Sequence, residues 1–160
     1  MVSLPLMRQR IYIDTSVVGG YFDEDFKEAT IKLFERFETD ELVFVVSDLL
    51  DIELLRAPQQ VRELLSKYPF DKFERIEMSK EADVLAETYV REGVVGKTSL
   101  EDCRHIALAT INKVDVLASW NFKHIVNLDR IKGYNSVNLR LGYIMLEIRS
   151  PKDLVNYGDD

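Results

Sequence analysis

The sequence predicts an α/β fold, a parallel central sheet flanked by helices on both faces. Three observations carry that expectation. Short β-branched and aromatic runs alternate with helical periodicities along the chain, the order that builds parallel sheets. The run at residues 42–46, LVFVV, is apolar throughout, as a strand covered on both faces must be. The run at residues 10–14, RIYID, breaks off abruptly at Asp14, which places a carboxylate at the end of a buried strand.

Each element follows from local chemistry. After the first strand an Asp-Thr-Ser turn and Gly19-Gly20 lead to a helix over residues 24–38, with Ala29, Leu33, Phe34 and Phe37 on one face. The second strand ends at Ser47-Asp48, good capping residues for a helix over 49–56. Pro58 marks the end of that helix or the start of the next. Residues 73–77 form a strand with few apolar positions, and Ser79 opens an amphipathic helix to residue 92. A loop with Gly93 and Gly96 then reaches Ser99-Leu100-Glu101-Asp102, which has the form of a capping box for a helix over 99–112. Residues 115–119 form another short strand, followed by Trp120-Asn121. The tail carries a helical stretch, a last strand at 144–148 and a polar end.

At 160 residues and 46% hydrophobic content the chain suits one domain, 1–160, with a real core. Its one cysteine, Cys103, excludes an internal disulfide and suits a reducing compartment. The opening residues have too short an apolar stretch for a secretory signal, and no apolar run is long enough for a membrane helix. A cytoplasmic protein is expected. A net charge of -7 argues against binding nucleic acid through a broad cationic surface. It leaves open a nuclease whose carboxylates hold divalent cations that attract phosphate.

Four segments carry the chemistry: Ile13-Asp14-Thr15-Ser16, Ser47 to Glu53, Glu101 to His105, and Ser119-Trp120-Asn121. In order and type they resemble the signature segments of the PIN-domain family. Three features of that family match here: an aspartate ending a strand before small hydroxyl residues, a serine-led helix with a glutamate six residues on, and an aspartate opening an apolar helix. Its fourth segment, a strand ending in Thr/Ser-x-Asp, is Ser119-Trp120-Asn121 here, so the series falls on Asp14, Glu53, Asp102 and Asn121. The helix from Asp102, the Ser-Trp-Asn segment with Phe122 to Ile125, and the tail from Asn135 and Ser150 look like a subgroup in which asparagine replaces the last aspartate. The resemblance implies a single PIN-like domain and a metal-dependent endoribonuclease like the VapC toxins. Its partners would be RNA, a second copy of the chain in a homodimer, and an antitoxin that blocks the acidic cleft.

The residue chemistry agrees. Mg²⁺ and Mn²⁺ prefer oxygen ligands, and Mg²⁺ keeps several waters while taking one or two carboxylates. Without metal the acids repel one another, so at least one pKa is expected to rise. We assign Asp14 and Asp102 as principal ligands, with Glu53 as a second ligand or the group orienting the attacking water. Asn121 supplies an oxygen but no charge. Thr15, Ser16 and Ser119 are candidate donors that aim the carboxylates, and His105, one turn after Asp102, is a hydrogen-bonded support or substrate contact.

Plainer readings compete. Asp14 suits a turn cap, Asp48 and Asp51 rival Glu53, and Asp102 suits the capping box and the helix dipole. His124 reads as a surface residue or phosphate contact, and Trp120 as core before it reads as a base-stacking platform. Gly93 to Thr98 lacks the first glycine of a phosphate-binding loop, since position 91 is arginine; Lys97 remains a candidate backbone contact. The rival functions are a non-catalytic PIN-like interaction module, suggested by Asn121, and a phosphoacceptor domain using Asp14, which lacks the companion acid two residues on.

Overall fold

A computed structural model describes residues 8–156; the opening segment read above as no signal and the extreme polar end lie outside them. The elements run β1 (Gln9–Ile13), α1 (Thr15–Gly20), α2 (Lys27–Glu38), β2 (Leu42–Ser47), α3 (Asp48–Leu54), α4 (Gln59–Leu64), β3 (Glu74–Ile76), α5 (Lys80–Arg91), α6 (Leu100–Ile111), β4 (Val116–Ala118), α7 (Leu128–Arg140), β5 (Ile148–Arg149) and α8 (Pro151–Asn156). The five strands pair in parallel in the order β3-β2-β1-β4-β5, with the first strand at the centre. Chain order reverses on either side of β1, so the ends of β1 and β4 form a crevice at which such sheets bind ligands.

Side-chain alternation divides the core into two layers. Tyr12, Val45 and Leu117 face α5, α6 and α7 through Leu85, Ala86, Ile106 and Val137. Ile11, Ile13, Phe44, Val46 and Val116 face the opposite way, onto Val17, Leu33, Phe34, Phe37 and Leu50. Phe37 stacks on Phe44 with centroids 4.4 Å apart, and Phe34 meets the same ring edge-on at 5.0 Å. Both faces of the sheet are therefore covered, as the apolar run of β2 requires. Among the described residues no helix is long and apolar enough to cross a membrane.

Several expectations need correction. The Asp-Thr-Ser turn is the start of a helix, α1, capped by Asp14; helix α2 begins at Lys27 and not at Glu24. Ser99 does not form a capping box: its side chain accepts no cap bond, because a 3-10 turn at Lys97–Ser99 leads directly into α6. The last strand is Ile148–Arg149, later and shorter than 144–148, and α8 follows it. Ser150 marks that helix, its Oγ accepting from Asp153 N at 3.3 Å, with Pro151 in the first turn.

The asparagines of the tail are structural. Asn135 lies buried in α7, and its Oδ1 accepts from Leu146 N at 2.7 Å while its Nδ2 donates to Leu146 O at 3.0 Å. It thereby supplies backbone partners to the segment leading into β5. Asn138, fully buried, accepts from the Tyr89 hydroxyl and donates to Thr110 Oγ1 at 3.3 Å.

Gly20 is tightly enclosed. A Cβ there would lie 2.7 Å from Trp120 Nε1 and 2.9 Å from Thr30 Oγ1, and those two atoms are hydrogen-bonded to each other at 2.9 Å. The indole is also stacked on Phe26 with centroids 4.3 Å apart, so it has little room to retreat. Gly20→Ala is expected to destabilise the protein by about 2 kcal/mol, roughly 4–8 °C in thermal midpoint. Gly19→Ala, whose Cβ meets nothing within 4 Å, is the control. Equal melting temperatures for the two variants would refute this account.

Candidate active site: an acidic crevice at the strand ends

Asp14 leaves β1 directly after buried Ile13 and is itself only 5% exposed. Register explains its partners. Ile13 pairs with Ala118, so Ser119 leaves β4 beside Asp14. Ser119 Oγ donates to Asp14 Oδ2 and Ser16 Oγ to Oδ1, both at 2.6 Å. The serines are oriented from behind, for Ser16 Oγ accepts from Trp120 N at 2.8 Å and Ser119 Oγ from Asn121 N at 3.0 Å. Val17 N also donates to Oδ1, at 3.2 Å, so the cap and the site share one side chain. Burial raises the Asp14 pKa above its ordinary value, against the opposing charge of His105 and these donors.

Glu53 lies in the last turn of α3, half-buried. Its Oε1 accepts from Thr15 Oγ1 at 2.5 Å and lies 2.6 Å from His105 Nε2. Burial alone would raise its pKa; the His105 hydrogen bond and charge, with Thr15, outweigh it and leave the carboxyl below its ordinary value. The rival acids of α3 point elsewhere. Asp48 accepts from Met78 N at 2.9 Å, and Asp51, exposed, reaches toward Arg75 at 3.9 Å.

Asp102 sits in the first turn of α6, where the helix dipole favours an acid. It is half-buried, and its carboxyl has no hydrogen bond among the described residues. Burial and the charges of Asp14 and Glu53 raise its pKa, while those of His124 and His105 oppose the rise. The start of α6 therefore does lie at the same edge as the ends of β1 and β2. His105 is 2% exposed, and between Glu53 and the Tyr12 hydroxyl both its nitrogens have partners. Burial pulls its pKa down; the Glu53 hydrogen bond and the charges of Glu53, Asp14 and Asp102 push it up further, so the net shift is upward.

Asn121 has another task. Its Oδ1 accepts from Lys123 N at 3.1 Å and His124 N at 3.0 Å, capping the turn after β4. Those two donors occupy both lone pairs of the amide oxygen, so the fourth position of the motif holds a turn and offers no free ligand atom. His124 is half-buried, and its Nδ1 has no partner among the described residues. Trp120 is core, 8% exposed, while Phe122 beside it is 50% exposed.

Among the described residues no three His, Cys, Asp or Glu side chains converge at metal-ligand spacing. The donor set still fits a hard divalent ion held by one or two carboxylates and completed by water, because the Asp102 carboxyl and Glu53 Oε2 carry no hydrogen bonds and two of the acids have raised pKa values. A groove of about 640 Å³, lined by Ser16, Gly20, Phe26, Trp120 and Asn121, borders this crevice. Other concavities, such as the one at Leu55, Tyr68 and Phe70, lie away from these acids.

The chain matches no family model and no curated protein. In structure it is similar to a chain of the DNA-bound VapBC complex from Salmonella typhimurium, at 15% identity and TM-score 0.54, covering 91% of this chain and 99% of that one. A chain of VapBC2 from Rickettsia felis, bound to a promoter DNA fragment, aligns at 12% identity and TM-score 0.55 over 89% of this chain and 98% of that one. One from FitAcB of Neisseria gonorrhoeae aligns at 11% identity and TM-score 0.56 over 89% and 98%. At these identities the likeness establishes the fold. The α/β domain implied by the four motifs, a five-stranded parallel sheet between two helical layers, is the PIN-like fold found in toxin–antitoxin complexes.

Proposed function

We propose that the chain is a Mg²⁺- or Mn²⁺-dependent endoribonuclease of the VapC kind, the toxin of a toxin–antitoxin pair. The observation that carries this reading is that Asp14, Glu53 and Asp102, from three separate elements, lie around buried His105 at the strand ends, Glu53 hydrogen-bonded to it and Asp102 within reach of the charges of the other two acids. The bound ion would supply Lewis acidity and lower the pKa of a coordinated water. Asp14 and Asp102 would hold it, and Glu53 Oε2 would orient the water for in-line attack on phosphorus. Ser16 and Ser119 fix the Asp14 carboxylate so that little reorganisation accompanies binding. Hydrolysis of a phosphodiester in a polymer suits the shallow groove beside the acids.

The antitoxin partner is suggested by the complexes from which the similar structures come. A homodimer and a cytoplasmic setting complete the proposal; free, buried Cys103 suits the latter. With Mn²⁺, purified protein is expected to cut RNA, to stop when EDTA is added, and to melt several degrees higher with the ion than without it. A melting temperature indifferent to both Mn²⁺ and EDTA, with no cleavage, counts against the reading.

A second reading, a non-catalytic PIN-like module, is favoured by the commitment of Asn121 Oδ1 to its turn. Asn121→Asp separates the two, since a carboxylate keeps the turn cap and adds a charge at the crevice. An enzyme weakened by the amide is expected to bind Mn²⁺ more tightly as the variant, by about tenfold. An unchanged affinity favours the module.

A further inference from the structure

A line of buried polar groups runs behind Glu53. We infer that Ser47, Tyr12 and His105 are positioning residues that hold Glu53 by one oxygen and leave the other facing the acidic crevice. The inference rests on the nuclease reading and concerns how that site is set.

The argument is a count of hydrogens. Ser47 Oγ accepts from Leu50 N at 3.1 Å and lies 2.8 Å from the Tyr12 hydroxyl, which lies 2.6 Å from His105 Nδ1. All three side chains are buried, so each polar hydrogen needs an acceptor. Among the described residues the only side-chain partner for the Ser47 hydrogen is Tyr12. Were Tyr12 to donate to Ser47, that hydrogen would be stranded. Ser47 therefore donates to Tyr12, and Tyr12 donates to Nδ1. A neutral His105 must then carry its hydrogen on Nε2, where it is donated to Glu53 Oε1 at 2.6 Å.

Burial keeps the Tyr12 hydroxyl protonated by raising its pKa far above the ordinary value, so it can donate to Nδ1 whenever His105 is neutral. Thr15 donates to the same Oε1, and the two donors fill both lone pairs of that oxygen. Oε2 is left to face water or a cation. Placement supports the assignment. Tyr12 precedes Asp14 by two residues on β1, Ser47 caps the helix that carries Glu53, and His105 follows Asp102 by three on α6. The line thus ties Glu53 to the two elements that carry the other carboxylates.

The test compares wild type with Tyr12→Phe, His105→Gln and His105→Leu, each checked for native circular dichroism. Nitrogen-15 NMR of the metal-free protein, above the pH at which the ring titrates, is expected to find His105 as a single tautomer with hydrogen on Nε2, and a mixture in Tyr12→Phe. Mn²⁺ affinity by calorimetry is expected to fall about tenfold in His105→Leu and in Tyr12→Phe. His105→Gln, whose amide hydrogen can reach Glu53, should recover most of it. On an RNA oligonucleotide the losses should appear in kcat, with KM within about twofold.

A wild-type hydrogen on Nδ1 overturns the inference, as does a folded Tyr12→Phe or His105→Leu protein that binds Mn²⁺ and turns over like wild type. These outcomes leave the nuclease reading standing. Wild-type protein that neither binds Mn²⁺ nor cuts RNA overturns both.

Discussion

An Asp102→Asn protein is expected to fold like the wild type and to cut RNA at least about a thousandfold more slowly, a loss near 4 kcal/mol in the transition state. Two effects on stability oppose each other. The amide loses the favourable interaction of a first-turn acid with the helix dipole, about 0.3–1 kcal/mol. It also removes a charge that burial and the charges of Asp14 and Glu53 destabilise. A carboxyl whose folded pKa is raised weighs against the fold in full above that pKa and not at all below its unfolded value. At neutral pH the two contributions offset, so the thermal midpoint should move by less than about 4 °C. The Mn²⁺-induced rise in melting temperature should shrink in parallel with activity. A variant that keeps both would show that Asp102 serves the helix alone.

Asp14→Ala is expected to act on stability as strongly as on activity. The wild-type carboxylate receives Ser16 Oγ, Ser119 Oγ and Val17 N, so alanine leaves three donors at a nearly sealed position without their acceptor. Lost caps and stranded donors each amount to about 1 kcal/mol or more, partly offset by relief from burying the charge. A net loss of about 2–3 kcal/mol, or roughly 4–12 °C, should appear in thermal or urea unfolding. Asp14→Asn, which keeps an acceptor for the cap, should lose about half as much. If alanine is tolerated within about 0.5 kcal/mol, the hydrogen bonds around Asp14 do not hold the crevice together.

Strands β1, β2 and β4 were legible because β-branched and aromatic residues crowd into short runs, and Asp14 was legible because a polar residue ends such a run. Helix α1 was not. It is six residues long, ends in two glycines, and opens with the same Asp-Thr-Ser chemistry that makes turns. What holds it is packing of Gly20 under Trp120, a contact between residues 100 apart that no local pattern records. Strand β5 is two residues long, too short for alternation to show, and the helix behind it, α8, was read only as a polar end. The motif series singled out Glu53 over Asp48 and Asp51; what needed the third dimension was its environment, since of these three acids within six positions only Glu53 meets His105. Asn121 looked like a weakened ligand because type and spacing say nothing of which backbone amides an oxygen will meet. The raised pKa of Asp14 follows from its burial, and that of Asp102 from burial and the charges of Asp14 and Glu53, which needed only the knowledge that the acids come together.

The bond from Ser119 to Asp14 spans 105 residues and joins the strand made first to the end of one made late. At ribosomal speeds of roughly 5–20 residues per second, the interval between the two lasts about 5–20 s. Throughout that time β1 lacks its neighbour β4, and the oxygens of Asp14 lack the hydroxyl that aims one of them. A nascent chain stopped short of residue 119 therefore has no finished centre.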